Sequence, residues 1–205
     1  MLQNRVDPLG NIIKTSARGT WMGNRGVIHS PEQQILRPFK LKAWLICKLE
    51  FKGWHRPVMA PNRYTELFFL DEATAFAAGH RPCFECRRED YNKFKSLWLK
   101  GNPGYGFNEK TSIKKIDDIL HSERMNPDRS KVTHEENIKD LSNGAFVLFN
   151  NQPHLIFDGL MYLWSPFGYG KGIALPGDDK LPVLTPKSVV KAFRAGYVPQ
   201  VGLET

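Results

Sequence analysis

Residues 68–88 read FFLDEATAFAAGHRPCFECRR. The stretch breaks into four pieces by its chemistry. Residues 65–70, TELFFL, have the length and apolar character of a buried strand. Asp71 offers a side-chain acceptor where a helix N-cap belongs, EATAFAA is a helix-forming run, and Gly79 supplies its natural stop. Cys83 and Cys86 then stand three positions apart. From residue 87 to 99, Tyr91, Phe94, Leu97 and Trp98 recur at the spacing of one helix face. A strand, a short helix, a two-cysteine knuckle and an amphipathic helix therefore follow in order, with the knuckle at the entrance of the second helix.

Two cysteines at i and i+3 give a metal ion two ligands from one tight turn, and a helix N-terminus favours the thiolate that a metal needs. Zinc takes four N or S ligands, so two more are required. The chain predicts a hairpin upstream, with residues 43–51 alternating, a turn at Lys52 and Gly53, and residues 54–59 returning along an edge. This hairpin carries Cys47 on its first strand and His55 just past its turn, giving the set Cys47, His55, Cys83 and Cys86. His80 is the rival fourth ligand. Each residue also has an ordinary alternative: Cys47 as a core thiol beside Leu45 and Leu49, His55 as a turn residue or phosphate contact, His80 as a packed or capping histidine. A redox role for Cys83 and Cys86 is disfavoured, because thioredoxin-like pairs follow a strand in a βαβ setting and this pair follows a helix and a loop.

The same residues carry a resemblance. Over residues 66–88 the chain resembles the zinc-binding half-motif of the Ada-type methylphosphotriester repair domain, in which a strand leads to a short A-E-A-x-A-A-G-like helix and then to R-P-C-x-x-C with basic residues behind it. Residues 73–79, Arg81, Pro82, Cys83 and Cys86 match without a gap, while His80 stands where that family has an aromatic residue. The resemblance implies a small α/β, DNA-binding unit with zinc on four cysteines, one of which accepts a methyl group from a damaged phosphate. Its second cysteine pair falls on Cys83 and Cys86. Its first pair has no counterpart here: Lys52 and Arg56 stand near those positions, and Cys47 and His55, at wider spacing, are the stand-ins. Residues 63–83 also resemble a bacterial protein family with no established activity.

Charge is concentrated at one end. Residues 1–60 hold ten Lys or Arg against three acids, which accounts for seven of the eight net positive charges. Such an excess suits a polyanionic partner, nucleic acid above all, or simply a solvated basic surface. Around the knuckle the expected phosphate-contacting cations are Arg25, Lys48, Lys52, Arg56, Arg81, Arg87 and Arg88, with Trp21, Trp44 and Trp54 among them as stacking candidates. The composition, 41% hydrophobic and 24% charged, is that of an ordinary soluble domain; apolar runs are too short for a membrane span, and three cysteines do not make a secreted disulfide framework. With no apolar signal core at residues 1–10, a cytoplasmic setting is expected and no membrane partner.

Residues 1–100 thus read as a basic, zinc-binding, Ada-like region. Residues 101–143 read as a polar helical connector, with helices at 112–122 and from Thr133, where Thr133 and Glu136 make a capping box. Residues 144–205 read as a β-meander plus helix packing on the first half; SPFGYGKG (165–172) is assigned to a loop, and the last helix to a Thr185 cap with Pro186 in its first turn. The fold class expected is α+β. The function expected is a zinc-stabilised nucleic-acid-binding protein. The alternatives are a zinc-dependent enzyme, working through a Cys47 thiolate as methyl acceptor or through metal-activated water with Glu66 as base, and a protein-interaction module.

Overall fold

A computed structural model of the chain describes residues 1–53, 57–177 and 180–203. Six strands, β1 (Gln3–Val6), β2 (Ile12–Lys14), β3 (Trp21–Asn24), β4 (Leu45–Cys47), β5 (Leu67–Phe69) and β6 (Arg81–Pro82), form one sheet in the order β2-β1-β5-β3-β4-β6. The β1–β5 and β4–β6 pairs are parallel, the others antiparallel. Helix α1 (Glu72–Ala77) joins β5 to β6, and α2 (Arg88–Gly101) and α3 (Ile113–Arg124) follow. A second, fully antiparallel sheet has the order β11-β10-β9-β8-β12-β7, built from β7 (His134–Asn137), β8 (Phe146–Phe149), β9 (Gln152–Phe157), β10 (Leu160–Ser165), β11 (Gly168–Ala174) and β12 (Lys180–Val183). Helix α4 (Lys187–Arg194) closes the chain. The fold is α+β, with a meander and C-terminal helix after the knuckle. Among the described residues, no helix is long and apolar enough to cross a membrane.

The opening stretch folds as its chemistry dictates. The Asp71 carboxylate accepts from the Thr74 amide at 2.8 Å and caps α1. Gly79 ends that helix at φ +91°, and a Cβ there would meet the Arg124 side chain at 2.4 Å. Tyr91, Phe94 and Trp98 bury one face of α2.

Four expectations fail locally, each because a distant partner decides the backbone. The hairpin after residue 43 does not form: β4 stops at Cys47, with β3 on one side and β6 on the other taking its hydrogen bonds. Of the returning strand expected over residues 54–59, 54–56 lie outside the described residues and 57–59 are not strand. Residues 134–137 are the edge strand β7 rather than a helix, because β12 pairs with them from Lys180↔Asn137 to Val183↔His134. The glycine-rich loop is largely β11, a hairpin partner of β10. Gly172 there leaves room for the Tyr162 ring, which a Cβ would approach to 2.9 Å. Thr185 does not cap α4; its hydroxyl accepts instead from the Phe146 amide.

The two sheets share their apolar interior. Ile46, Leu67 and Phe69 of the first sheet cluster with α2, α3 and Val189, Ala192 and Phe193 of α4, and Ala73 and Ala77 of α1 pack with Phe146, Leu155 and Leu184. The start of α1 is the seam. Asp71 also accepts from the Tyr169 hydroxyl at 2.6 Å and the Gly202 amide at 2.9 Å. Glu72 accepts from the Tyr197 hydroxyl and the Gln200 amide, both at 2.9 Å. The stretch expected to be a connector is likewise structural: α3 holds β6 through Asp117 and Arg81.

Candidate metal centre

Register brings the thiols together. Leu45 pairs with Arg81 and Ile46 with Pro82 across the parallel β4–β6 ladder, so the next residues, Cys47 and Cys83, emerge side by side. The Cys83 amide donates to the Ile46 carbonyl at 2.9 Å and locks this arrangement. The turn that follows returns Cys86 to the same point, its geometry set by the Arg87 amide donating to the Cys83 carbonyl at 3.1 Å. The ligand atoms of Cys47, Cys83 and Cys86 all lie within 4.8 Å of one another, and all three thiols are free. A tetrahedral thiolate site with metal–sulfur bonds of about 2.3 Å sets its sulfurs about 3.8 Å apart, so small side-chain adjustments suffice. The three cysteines can hold a metal ion.

The environment prepares them for it. The Glu85 amide points at the Cys83 sulfur at 3.4 Å, and the Lys48 amide donates to Cys86. Hydrogen bonds from the Cys47 and Cys86 thiols hold the Cys83 thiol well below the ordinary range. The Cys47 thiol is pushed up, first by its bonding to Cys83 and Cys86 and then by burial. These hydrogen bonds favour the thiolate form of Cys83, the form a cation binds.

The sites expected from sequence divide sharply. Cys47 is buried, but outside the apolar clusters: it lies in one cross-strand row with Met22 and Phe68, and that face of the sheet floors a cavity of about 1100 Å³. Ile46, Leu67 and Phe69 take the opposite, core face. Cys83, Cys86, Asn24, Tyr64 and Glu66 line the same cavity. Glu66 is only 4% exposed, and its Oε2 accepts from the Met59 amide at 2.8 Å. His80 is elsewhere. It is fully buried against Trp44 and Phe69, and its Nε2 accepts from Arg25 Nε at 3.2 Å, so it does not join the thiols. Burial, with Arg25 and Arg124 beside it, holds its imidazole well below the usual range and keeps it neutral. His55, Trp54 and Arg56 lie outside the described residues. Among the described residues, no other His, Cys, Asp or Glu joins the three-thiol group.

Three of the seven cations expected on an exposed phosphate-binding face are internal. Arg25 is completely buried, with its guanidinium 3.7 Å from the Trp44 ring centroid. Arg81 clasps Asp117 through two 2.7 Å bonds, Nε to Oδ1 and Nη2 to Oδ2. Arg87 pairs with Glu72 at 2.6 Å and covers Trp21. A buried guanidinium requires such partners, so composition overstated the free charge. Lys48, Lys52 and Arg88 remain exposed, and Arg88 lies over the exposed Phe84 at the tip of the knuckle. Of the tryptophans, Trp44 is core and Trp21 donates to Gln200. Arg63, an exposed cation in the cavity lining, is absent from the expected phosphate contacts; its place has no local signature, because a sheet face and a distant loop create the cavity. No family model, no curated protein and no solved structure matches this chain.

Proposed function

We propose that the protein is a zinc-binding nucleic-acid-binding protein whose metal, on Cys47, Cys83 and Cys86, faces the adjoining cavity. One observation carries this reading: three cysteine sulfurs converge on a cavity whose lining includes the exposed cations Lys48 and Arg63. A thiolate-rich set suits zinc over calcium or magnesium, which prefer oxygen. Lys52 and Arg88, one residue from Gly53 and two from Cys86, extend the positive rim. A phosphate backbone is the polyanion such a rim attracts. Anisotropy titrations of labelled single- and double-stranded oligonucleotides test this. Log affinity is expected to fall linearly with log salt, and Lys48→Ala, Lys52→Ala and Arg88→Ala each to reduce the slope by about 1. Wild-type binding indifferent to salt rejects the reading.

A second reading, zinc-assisted hydrolysis, is favoured by Glu66, a buried carboxylate lining the same cavity as the thiols. A site with three protein ligands keeps a position for water, and a nearby glutamate can accept its proton. On this reading Glu66→Gln lowers the turnover of an activated phosphodiester by roughly 10²–10⁴-fold while zinc content is unchanged. Equal turnover by the variant and wild type removes it.

A further inference from the structure

On the other side of β4 lies a second cavity, of about 570 Å³, which Trp44 lines as Leu45 and Cys47 line the first. Among the described residues, its wall carries five cations, Arg25, Arg37, Arg124, Arg129 and Lys131, and no carboxylate. Two of these are sealed in the protein. Arg25 and Arg124 are at most 2% exposed, and both guanidiniums rest on the Trp44 ring, at 3.7 and 3.9 Å from its centroid. Carbonyls take part of their hydrogen-bonding capacity: Arg25 Nη1 donates to Gly10 at 3.0 Å, and Arg124 Nη1 and Nη2 donate to Gly79 and Lys42 at 2.8 and 2.6 Å. Arg25 Nη2 and Arg124 Nε have no hydrogen-bond partner among the described residues. Lys131 donates to the Ala77 carbonyl at 2.5 Å.

Buried guanidiniums without facing carboxylates are unfavourable, and native proteins retain them where an anion completes the set. We propose that this cavity binds a phosphate monoester, its dianion held among Arg25, Arg124 and Lys131 with Arg37 and Arg129 at the rim. Guanidiniums match the geometry of phosphate oxygens. The volume exceeds that of phosphate alone, and Leu9, Ile12, Ile35 and Met125 offer apolar wall to an organic substituent. The electrostatics agree. Burial lowers all three groups, Lys131 to about 7 and Arg25 to about 9, and Arg124 depresses Lys131 further as a like charge. Asp7 opposes this for Arg25 and Lys131 and is itself pushed up by burial; Asp117 opposes it for Arg124, though that carboxylate is already engaged by Arg81.

The site is independent of the metal centre, and so is its test. Calorimetric titration of the purified chain with a nucleoside 5′-monophosphate, at constant ionic strength, is expected to show saturable binding at least tenfold tighter than the matching nucleoside. Lys131→Gln weakens it tenfold or more. The exposed-residue variants Arg37→Gln and Arg129→Gln, which leave the fold intact, weaken it several-fold. A 5′-phosphorylated oligonucleotide compared with its 5′-hydroxyl form decides the source: a phosphate-dependent preference assigns the site to a strand end, and its absence assigns it to free monophosphates. Equal binding of monophosphate and nucleoside, or variants that bind as wild type does, overturns the proposal.

Discussion

Cys83→Ser is expected to purify without zinc and to melt well below the wild type. Cys83 is the hub of the trio: its amide joins β6 to β4, its carbonyl accepts from the Arg87 amide, and hydrogen bonds from Cys47 and Cys86 lower its thiol pKa. Serine keeps the shape but removes the soft ligand, and two cysteines hold zinc far more weakly than three. Linkage gives the scale. Zinc at a thousandfold over its Kd stabilises the fold by about 4 kcal/mol, and at roughly 2–4 °C per kcal/mol for a chain of this size the loss is about 8–16 °C in Tm. Metal analysis and differential scanning calorimetry, with chelator-treated wild type as reference, make the measurement. Wild type without zinc, or a Cys83→Ser chain that keeps it, rejects the metal centre. The same pair of measurements on His55→Ala decides whether His55 supplies the fourth ligand: zinc retained at full Tm assigns that position to water or substrate.

Asp117→Ala is expected to be nearly as damaging, through a different cause. Asp117 and Arg81 form a two-bond ion pair in which each side chain is 5% exposed. Removing the carboxylate leaves a buried guanidinium without its counter-charge, a loss of about 3–5 kcal/mol and roughly 6–20 °C in Tm. Arg81→Met combined with Asp117→Leu removes both charges and is expected to recover much of that loss, since a well-packed apolar pair can replace a buried ion pair. Chemical denaturation of the two single variants and the double variant measures the coupling. Equal stability of Asp117→Ala and wild type contradicts the internal role assigned to Arg81. Because Arg81 lies two residues before Cys83, the single variant should also weaken zinc binding.

The legible parts of the chain were those whose cause is local. Asp71, the alanine-rich helix, Gly79 and the apolar face of α2 are decided within a few residues, and both helices form accordingly, whereas the expected loop before Cys83 is strand β6, made by its pairing with β4. The meander strands over 146–165 were equally plain. Elsewhere the deciding partner was remote. Thr133 and Glu136 fit a helix start until β12 pairs with that segment. Alternation around Cys47 was real, but β4 is an inner strand: Ile46 faces the core, and Cys47 faces a cavity that Leu45, Leu49 and Phe51 also line, the last two beyond the strand end. Charge counting could not foresee that Arg81 would meet Asp117, or Arg87 Glu72, because an ion pair is a property of topology. The Cys83–Cys86 pair was visible as a motif; its meeting with Cys47 required the parallel register of β4 and β6.

The seam at Asp71 and Glu72 has a consequence for biosynthesis. Both carboxylates are satisfied by groups from residues 169–202, more than ninety positions later in the chain. Until those residues have left the ribosome, the start of α1 lacks four of its hydrogen bonds, and the first sheet lacks the α4 side chains that complete its core. The first sheet and α1, although made earlier, are therefore completed only after residues 169–202. Such long-range closure slows folding.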